Sequence, residues 1–307
     1  MTRITPIKTP EQIKQDKIFF HTPFFLAPSK TIFADRATRF QDLAKEDKTD
    51  WHAYLQLLAS VSEAQQVVLD EGLAAGDFAI PEGIESRTIL PLADGGYVPA
   101  SFYTCFEKLL AKLDQKVSST VLNPLRALEQ TQAEQLAQAT LKQELSAEQK
   151  PMSLWAHAAL QIIWTAWAQQ LQEDDVPIVE QRSHCPCCGS EAVASVIMIS
   201  SDLANLRYLH CPTCNSRWNA LRAKCTFCGD QSSMALQEIE EAQSGALKGA
   251  RAETCDHCHS YRKMFMLQHQ QFADPVADDL ASLALDILIG EEGYERGGHN
   301  PFLLGED

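Results

Sequence analysis

The chain has 307 residues, 10 cysteines and a formal net charge of −15. This length predicts two or three domains, with enough chain for a sizeable core. The acidic balance argues against a general nucleic-acid binder, because nucleic acid attracts basic surfaces. The sequence has no run of about 18 apolar residues, so it predicts no membrane span. No hydrophobic signal core is evident at the N-terminus, and we therefore expect a cytoplasmic protein with reduced thiols.

An all-helical N-terminal domain is predicted over residues 1–178. Residues 1–30 lack a clear period, and their aromatic residues indicate an extended arm that packs on the body. Apolar residues three and four apart then predict a helix over about 32–46 and a second one from Trp51 to the glycines near 72–76. Two arginines on the first helix, Arg36 and Arg39, are expected on a solvated surface; the alternative is a partner-binding face.

The second half of this domain continues the helical pattern after a loop over 76–100 that is rich in glycine and proline. Ser101 opens one helix, which contains a cysteine expected to be buried, Cys105. Asn123-Pro124 then predicts a helix start, because proline is favoured at the first helical position, and that helix should run to about 146. The stretch 151–171 is the most apolar, so we predict the central helix of a bundle there.

The cysteine-rich region that follows contains four Cys-x-x-Cys pairs. They are Cys185/Cys188, Cys211/Cys214, Cys225/Cys228 and Cys255/Cys258. Two such pairs can place four thiolates around one tetrahedral ion, whereas disulfides would need an oxidising compartment. The residue after each second cysteine should take a positive φ, for which glycine is favoured and asparagine is tolerated. These residues are Gly189, Asn215, Gly229 and His259.

The spacing of the pairs bears on how they combine. The first two pairs are separated by 22 residues and the last two by 26, and each gap can hold a hairpin of strands. A RING-like cross-brace would interleave the pairs, but ten residues separate the middle pairs, so we favour tandem ribbons. Four sulfur ligands suit zinc and iron alike, and the sequence does not separate the two metals.

These elements together predict an α+β multidomain protein: an N-terminal α-helical bundle, two tandem four-cysteine zinc-ribbon modules and a C-terminal helix. The expected domains are residues 1–178, 179–221, 222–272 and 273–307. The last one should begin with a helix from Pro275 through Ile287 and end in a glycine-rich docking tail, which lacks the strand context of a phosphate-binding loop.

No catalytic signature is present among the sequence motifs. A metal bound by four thiolates has no open position for water or substrate, which counts against hydrolysis at the metal. One further thiol, Cys187, lies between Cys185 and Cys188. It could be reactive or replace a ligand, but a structural or incidental role is the preferred interpretation.

The order of motifs along the chain resembles the family of formate dehydrogenase accessory proteins called FdhE. The resemblance covers nearly the whole chain. It is carried by Phe33-Ala-Asp-Arg-Ala-Thr-Arg-Phe40, Ala64-Gln65-Gln66, Cys185-Pro-x-Cys-Gly, Arg207-Tyr-Leu-His-Cys-Pro-Thr-Cys214, Lys224-Cys-Thr-Phe-Cys-Gly229, Cys255-x-x-Cys258, Asp278-Asp-Leu-Ala-Ser-Leu-Ala-Leu-Asp286 and Glu292-Gly-Tyr-Glu-Arg-Gly-Gly298. Cys187, and His259 at a position where glycine is common, are the departures.

This resemblance implies a cytoplasmic assembly factor, and not an enzyme, that binds the catalytic subunit of a respiratory formate dehydrogenase before export. It also implies rubredoxin-like modules in which the eight paired cysteines hold iron, with zinc as the other possibility. A rubredoxin-like redox protein acting on the client is one alternative function, and a zinc-ribbon nucleic-acid binder is another. No membrane insertion is expected, and the oligomeric state, including a homodimer, is left open.

Overall fold

The computed structural model describes residues 22–47, 51–80, 97–178, 183–200, 202–240 and 245–303. Most of the predicted arm and much of the predicted loop before Ser101 lie outside the described residues. The helices before the cysteine region are α1 (Ile32–Glu46), α2 (Trp51–Ala75), α3 (Phe102–Lys112), α4 (Ser119–Arg126), α5 (Gln130–Lys142) and α6 (Lys150–Ala168); α7 (Pro275–Leu280) and α8 (Leu283–Glu291) follow it.

The central position of α6 is confirmed. Every residue from Ser153 to Ala168 is buried, including Trp155, Trp164 and Trp167. α2, α3 and α5 all pack against this helix, so it has no face left for solvent. Cys105 on α3 is buried against it, and its thiol contacts the carbonyl oxygen of Ala159 at 3.6 Å.

The prediction of one long helix beginning at Asn123-Pro124 is wrong. Pro124 lies inside α4, whose first turn is capped by Ser118, with the hydroxyl accepting from the Thr120 N–H at 3.3 Å. The chain leaves the helix at Ala127 and starts α5 three residues later. At that start the Glu129 N–H donates to Gln132 Oε1 at 3.0 Å, a local bond that favours a new helix over continuation.

A single mixed sheet contains the strands of both cysteine modules. Its strands are β1 (Phe25–Leu26), β2 (Ala194–Ile197), β3 (Arg207–His210), β4 (Arg217–Ala220), β5 (Met234–Gln237), β6 (Ala250–Cys255), β7 (Ser260–Met266) and β8 (Glu295–Arg296). The order is β1-β4-β3-β2-β7-β6-β5, and β8 pairs with β7. The two antiparallel meanders join where β2 and β7 run parallel, with Val196 opposite Phe265. The division into four domains stays a prediction.

The described part of the N-terminal segment packs on the body. Phe24 and Phe25 are buried, and β1 pairs with β4 so that Phe25 lies opposite Trp218. The Tyr208 hydroxyl donates to the carbonyl oxygen of Pro23 at 2.7 Å. The helical half of the chain therefore contributes the outer strand of the first module.

The expectation that Arg36 and Arg39 lie on a solvated surface is wrong. Arg36 is fully buried, and its Nε donates to Asp274 Oδ1 at 3.0 Å. Arg39 donates two bonds to Asp278, at 2.9 and 2.5 Å. The partners lie 238 and 239 residues away in sequence, so the pattern within one helix could not indicate them.

The C-terminal segment packs against the interior of the protein, as we expect for a docking tail. Asn300 Nδ2 donates to the Val276 carbonyl oxygen at 2.9 Å, and Phe302 is fully buried. The Tyr54 hydroxyl on α2 donates to the Phe302 carbonyl oxygen at 2.5 Å. The predicted terminal helix starts at Pro275 but breaks at Ser282, whose hydroxyl donates to the Asp278 carbonyl oxygen at 2.6 Å.

Within the described ranges, no helix is both long enough and apolar enough to cross a membrane.

Replacing Asp278 with alanine should lower the free energy of unfolding by about 3–5 kcal/mol, because Arg39 is left buried without its partner. Urea denaturation followed by circular dichroism measures this change. The control is Lys112→Ala, which removes an exposed pair with Glu71 and should cost at most about 1 kcal/mol. Equal effects of the two substitutions would contradict the importance of the buried pair.

Candidate metal centres

The four Cys-x-x-Cys turns share one backbone geometry. The residue after each second cysteine has a positive φ, as predicted: 75° at Gly189, 58° at Asn215, 82° at Gly229 and 53° at His259. In each turn its N–H donates to the carbonyl oxygen of the first cysteine, at 2.9, 3.2, 3.1 and 2.8 Å in that order. These turns place both thiols of a pair on the same side of the loop.

The first cluster consists of Cys185, Cys188, Cys211 and Cys214, all of them buried. The Sγ atoms of Cys185 and Cys214 are 3.5 Å apart, and those of Cys188 and Cys211 are 3.2 Å apart. β2 and β3 connect the two pairs, and β4 follows the second one. The tandem grouping that the sequence favours is therefore the one that the structure contains.

The second cluster consists of Cys225, Cys228, Cys255 and Cys258. The Cys225–Cys258 and Cys228–Cys255 sulfur pairs are both 3.7 Å apart. Unlike the first cluster, this one reaches the surface, since Cys228 is exposed and Cys258 is half-buried. β5 and β6 connect its two pairs.

Both clusters have the dimensions of a four-sulfur metal site. Four sulfurs about 2.3 Å from a central ion would be about 3.8 Å from one another, close to the separations in both clusters. A disulfide would bring two sulfurs to about 2.0 Å, and all these cysteines are free thiols. Burial raises the pKa of Cys188, Cys211 and Cys214, so these three thiols need a nearby cation to ionise together. That the eight cysteines are metal ligands stays a prediction.

The two remaining cysteines lie outside both groups of four. Cys187 is 1% exposed beside the first cluster, and burial raises its pKa, which disfavours the reactive thiolate form. Cys105 lies in the helical body, where burial raises its pKa to about 12.

The loop that carries the second half of the first cluster is hydrogen-bonded to the helices. Gln161 of α6 donates to the Pro212 carbonyl oxygen at 2.6 Å, and Asn215 donates to the Thr165 hydroxyl at 2.8 Å. Arg36 of α1 donates to Asn215 Oδ1 at 2.6 Å. The sequence analysis did not predict these contacts. Gln161 could have indicated them, because a single amide within the most apolar helix needs a buried hydrogen-bond partner.

The tail passes between the two modules, and its close packing there is the reason that it needs two consecutive glycines. A Cβ on Gly297 would lie 2.0 Å from the ring of Phe227, which belongs to the Cys225–Cys228 turn. Gly298 has a φ of +93°, and a Cβ there would lie 2.2 Å from the Ala192 carbonyl oxygen of the first module. Arg262 bridges the same two elements, with its guanidinium 4.5 Å from the Phe227 ring centroid and a 2.6 Å bond to Ala192.

Comparisons with known proteins identify the family. Three family models match consecutive parts of the chain. The model described as "FdhE, N-terminal" matches residues 22–180, "FdhE, central domain" matches 184–222, and "FdhE, C-terminal domain" matches 223–303. The chain belongs to the FdhE family. A protein FdhE homolog of Haemophilus influenzae is 33% identical over 305 residues, covering 97% of each chain, and one from Pectobacterium atrosepticum is 33% identical over 311 residues, covering 99% of this chain and 98% of the homolog.

A solved structure agrees with this assignment. The crystal structure of the FdhE protein from Pseudomonas aeruginosa superposes with a TM-score of 0.74 at 32% identity, covering 92% of this chain and 99% of that one. The resemblance to the FdhE family is thus confirmed. The predicted order of a helical region followed by two four-cysteine modules is confirmed as well.

We predict that the double substitution Cys225→Ser/Cys228→Ser removes one of two bound ions, because two thiolates alone do not complete a tetrahedral site. Metal analysis of the purified protein should fall from about two ions per chain to about one. The matched control is Cys105→Ala, which should leave the metal content unchanged. A double variant that keeps both ions would refute the ligand assignment.

The two centres should differ in reactivity, since Cys228 is exposed while all four thiols of the first cluster are buried. During incubation with a chelator and iodoacetamide, peptides carrying Cys228 and Cys258 should be alkylated before those carrying Cys211 and Cys214. Mass spectrometry at successive times measures the order. Simultaneous alkylation of both clusters would show that the exposure difference does not control access.

Proposed function

We propose that this protein is a cytoplasmic, non-catalytic accessory factor that binds the catalytic subunit of formate dehydrogenase during its maturation. The observation that carries this proposal is FdhE family membership over residues 22–303, with both cysteine clusters inside the matched regions. The family name associates these proteins with formate dehydrogenase. The helical body would supply the surface that contacts the client.

The chemistry of the clusters supports a role without catalysis at the metals. When bound, a metal would supply a rigid four-coordinate centre, or a one-electron centre if it is iron. The eight cysteines named above would hold it, and no ligand position would be left for water or substrate. The chain's own part is then to fix the geometry of the two modules through the β2–β7 pairing and the tail.

A second candidate function is electron transfer by a rubredoxin-like iron centre acting on the client. The exposure of Cys228 favours this alternative, because a partner could approach within contact distance of a ligand sulfur. Metal analysis and a visible spectrum on protein purified without oxygen distinguish the alternatives. Iron with thiolate absorption keeps the redox function, whereas two colourless zinc ions exclude it.

The binding proposal predicts that a tagged full-length protein co-purifies with the catalytic subunit, and that a deletion strain loses formate oxidation until the gene is restored. The Cys211→Ser/Cys214→Ser variant should fail to restore activity, because its loop positions α1 and α6. Cys105→Ala should restore activity fully. The proposal fails if the wild-type protein retains no catalytic subunit and the deletion strain oxidises formate normally.

A further inference from the structure

The helix α8 has apolar side chains on its outer face as well as on its inner one. Leu285 and Ile289 are buried and hold the helix against the protein. Ile287 and Leu288, in contrast, are 63% and 47% exposed, and Ala284 is exposed as well. A surface helix normally turns polar residues toward the solvent, so an outer face of this composition is typical of a contact surface.

The exposed apolar residues form one continuous stripe. Side chains three and four positions apart lie on the same side of an α-helix, and Ala284, Ile287 and Leu288 have this spacing. We call these three residues the α8 stripe. A partner helix that presents its own apolar residues at the same spacing could pack along it, which is a common way of recognising a polypeptide segment.

The C-terminal end of the α8 stripe is negatively charged. Glu291 lies four residues after Ile287 and three after Leu288, so it continues the stripe, and Glu292 follows it at the helix end. Both carboxylates are exposed, and neither has an ion pair with another residue that the structure describes. The C-terminus of a helix also carries a partial negative charge. This end of the surface therefore favours a cationic group.

The neighbouring part of the second module has the same sign of charge. The Tyr294 hydroxyl donates to Asp256 Oδ1 at 2.6 Å, which places the segment after α8 beside the Cys255–Cys258 turn. Asp256 and Glu295 are both exposed. Arg296 is the one basic residue between 291 and 297, and its guanidinium is already bound to two aspartates. The carboxylates around the helix end therefore keep this region negative.

We propose that the α8 stripe binds a cationic amphipathic polypeptide segment. Its apolar residues would cover Ile287 and Leu288, and its lysine or arginine residues would face Glu291 and Glu292. Charge complementarity selects this occupant over a second copy of the chain, because each copy has a net charge of −15. The stripe is also far smaller than the face of a standard interface between two folded proteins, about 20–30 residues a side. The inference goes beyond the accessory function proposed above and does not depend on it.

The test is a fluorescence anisotropy titration of a fluorescein-labelled synthetic peptide with the full-length protein, loaded with Zn(II). The peptide has about 16 residues, which is long enough to form a helix on binding, with leucines along one face and lysines at one end. One control peptide has glutamate in place of every lysine, and a second has serine in place of every leucine. We expect saturable binding of the first peptide and at least about tenfold weaker binding of both controls.

The apolar contact is tested with the double substitution Ile287→Gln/Leu288→Gln. It should weaken binding about tenfold, because two side chains can no longer be covered by apolar surface. Both side chains project into solvent, so the fold should persist, and circular dichroism and zinc content check this. The matched control is Val67→Gln/Leu73→Gln, at two apolar residues of α2 that are 41% and 39% exposed, and it should leave the affinity unchanged.

The charge contact is tested separately with Glu291→Gln/Glu292→Gln. This variant should bind the lysine peptide about fivefold more weakly, and its binding should depend less on salt, because exposed charge pairs are lost. The matched control is Glu46→Gln/Asp47→Asn, which neutralises two consecutive carboxylates at the end of α1. It should change neither the affinity nor the salt dependence.

Three outcomes would overturn the proposal. If the glutamate peptide binds as tightly as the lysine peptide, charge does not select the occupant. If Ile287→Gln/Leu288→Gln binds the lysine peptide as well as the wild-type protein does, the peptide binds elsewhere. If sedimentation velocity shows a dimer that this variant loses, a second copy covers the stripe. None of these results bears on co-purification with formate dehydrogenase, so the two proposals fail independently.

Discussion

The structure depends on a buried electrostatic contact between α1, near the start of the described chain, and α7, near its end. Arg36 and Arg39 lose their hydration on burial, and Asp274, Asp278 and the side chain of Asn215 compensate for it. A buried ion pair contributes little net stability to the folded state. A packing arrangement that separates the two partners is strongly destabilised, however, because it leaves a charge buried and unpaired. We therefore infer that these pairs fix how the helical body meets the C-terminal helices, and both cysteine modules lie in the chain between these contacts.

The two consecutive aspartates of α7 face different parts of the molecule. Asp278 binds Arg39 of α1, whereas Asp279 binds Lys263 of β7 at 2.9 Å and Arg296 of the tail at 2.5 Å. The short helix thus links the helical body to the sheet through adjacent residues. Since β7 pairs in parallel with β2, a displacement of α7 would move strands of both modules. The tail, which packs between Phe227 and Ala192, restricts the same movement.

The features that could be predicted from the sequence are those that depend on residues close together in the chain. The Cys-x-x-Cys turns were predictable because spacing and the following residue act within five positions, and even His259 adopts the expected positive φ. The apolar helix α6 was predictable from composition. The ion pairs of Arg36 and Arg39 were not, because a buried and an exposed arginine look alike in a helical pattern. The β2–β7 pairing joins distant strands, and no short motif specifies it.

The two cysteine clusters each have four thiols but lie in different surroundings, and this difference separates the roles that each could take. The Cys211–Cys214 loop is bonded to α1 through Arg36 and to α6 through Gln161, so a change in its geometry would have to move both helices. The second cluster differs in that Cys228 is exposed and Cys258 is half-buried. A structural role therefore suits the first centre, whereas the exposed Cys228 makes the second centre the more accessible of the two to a partner.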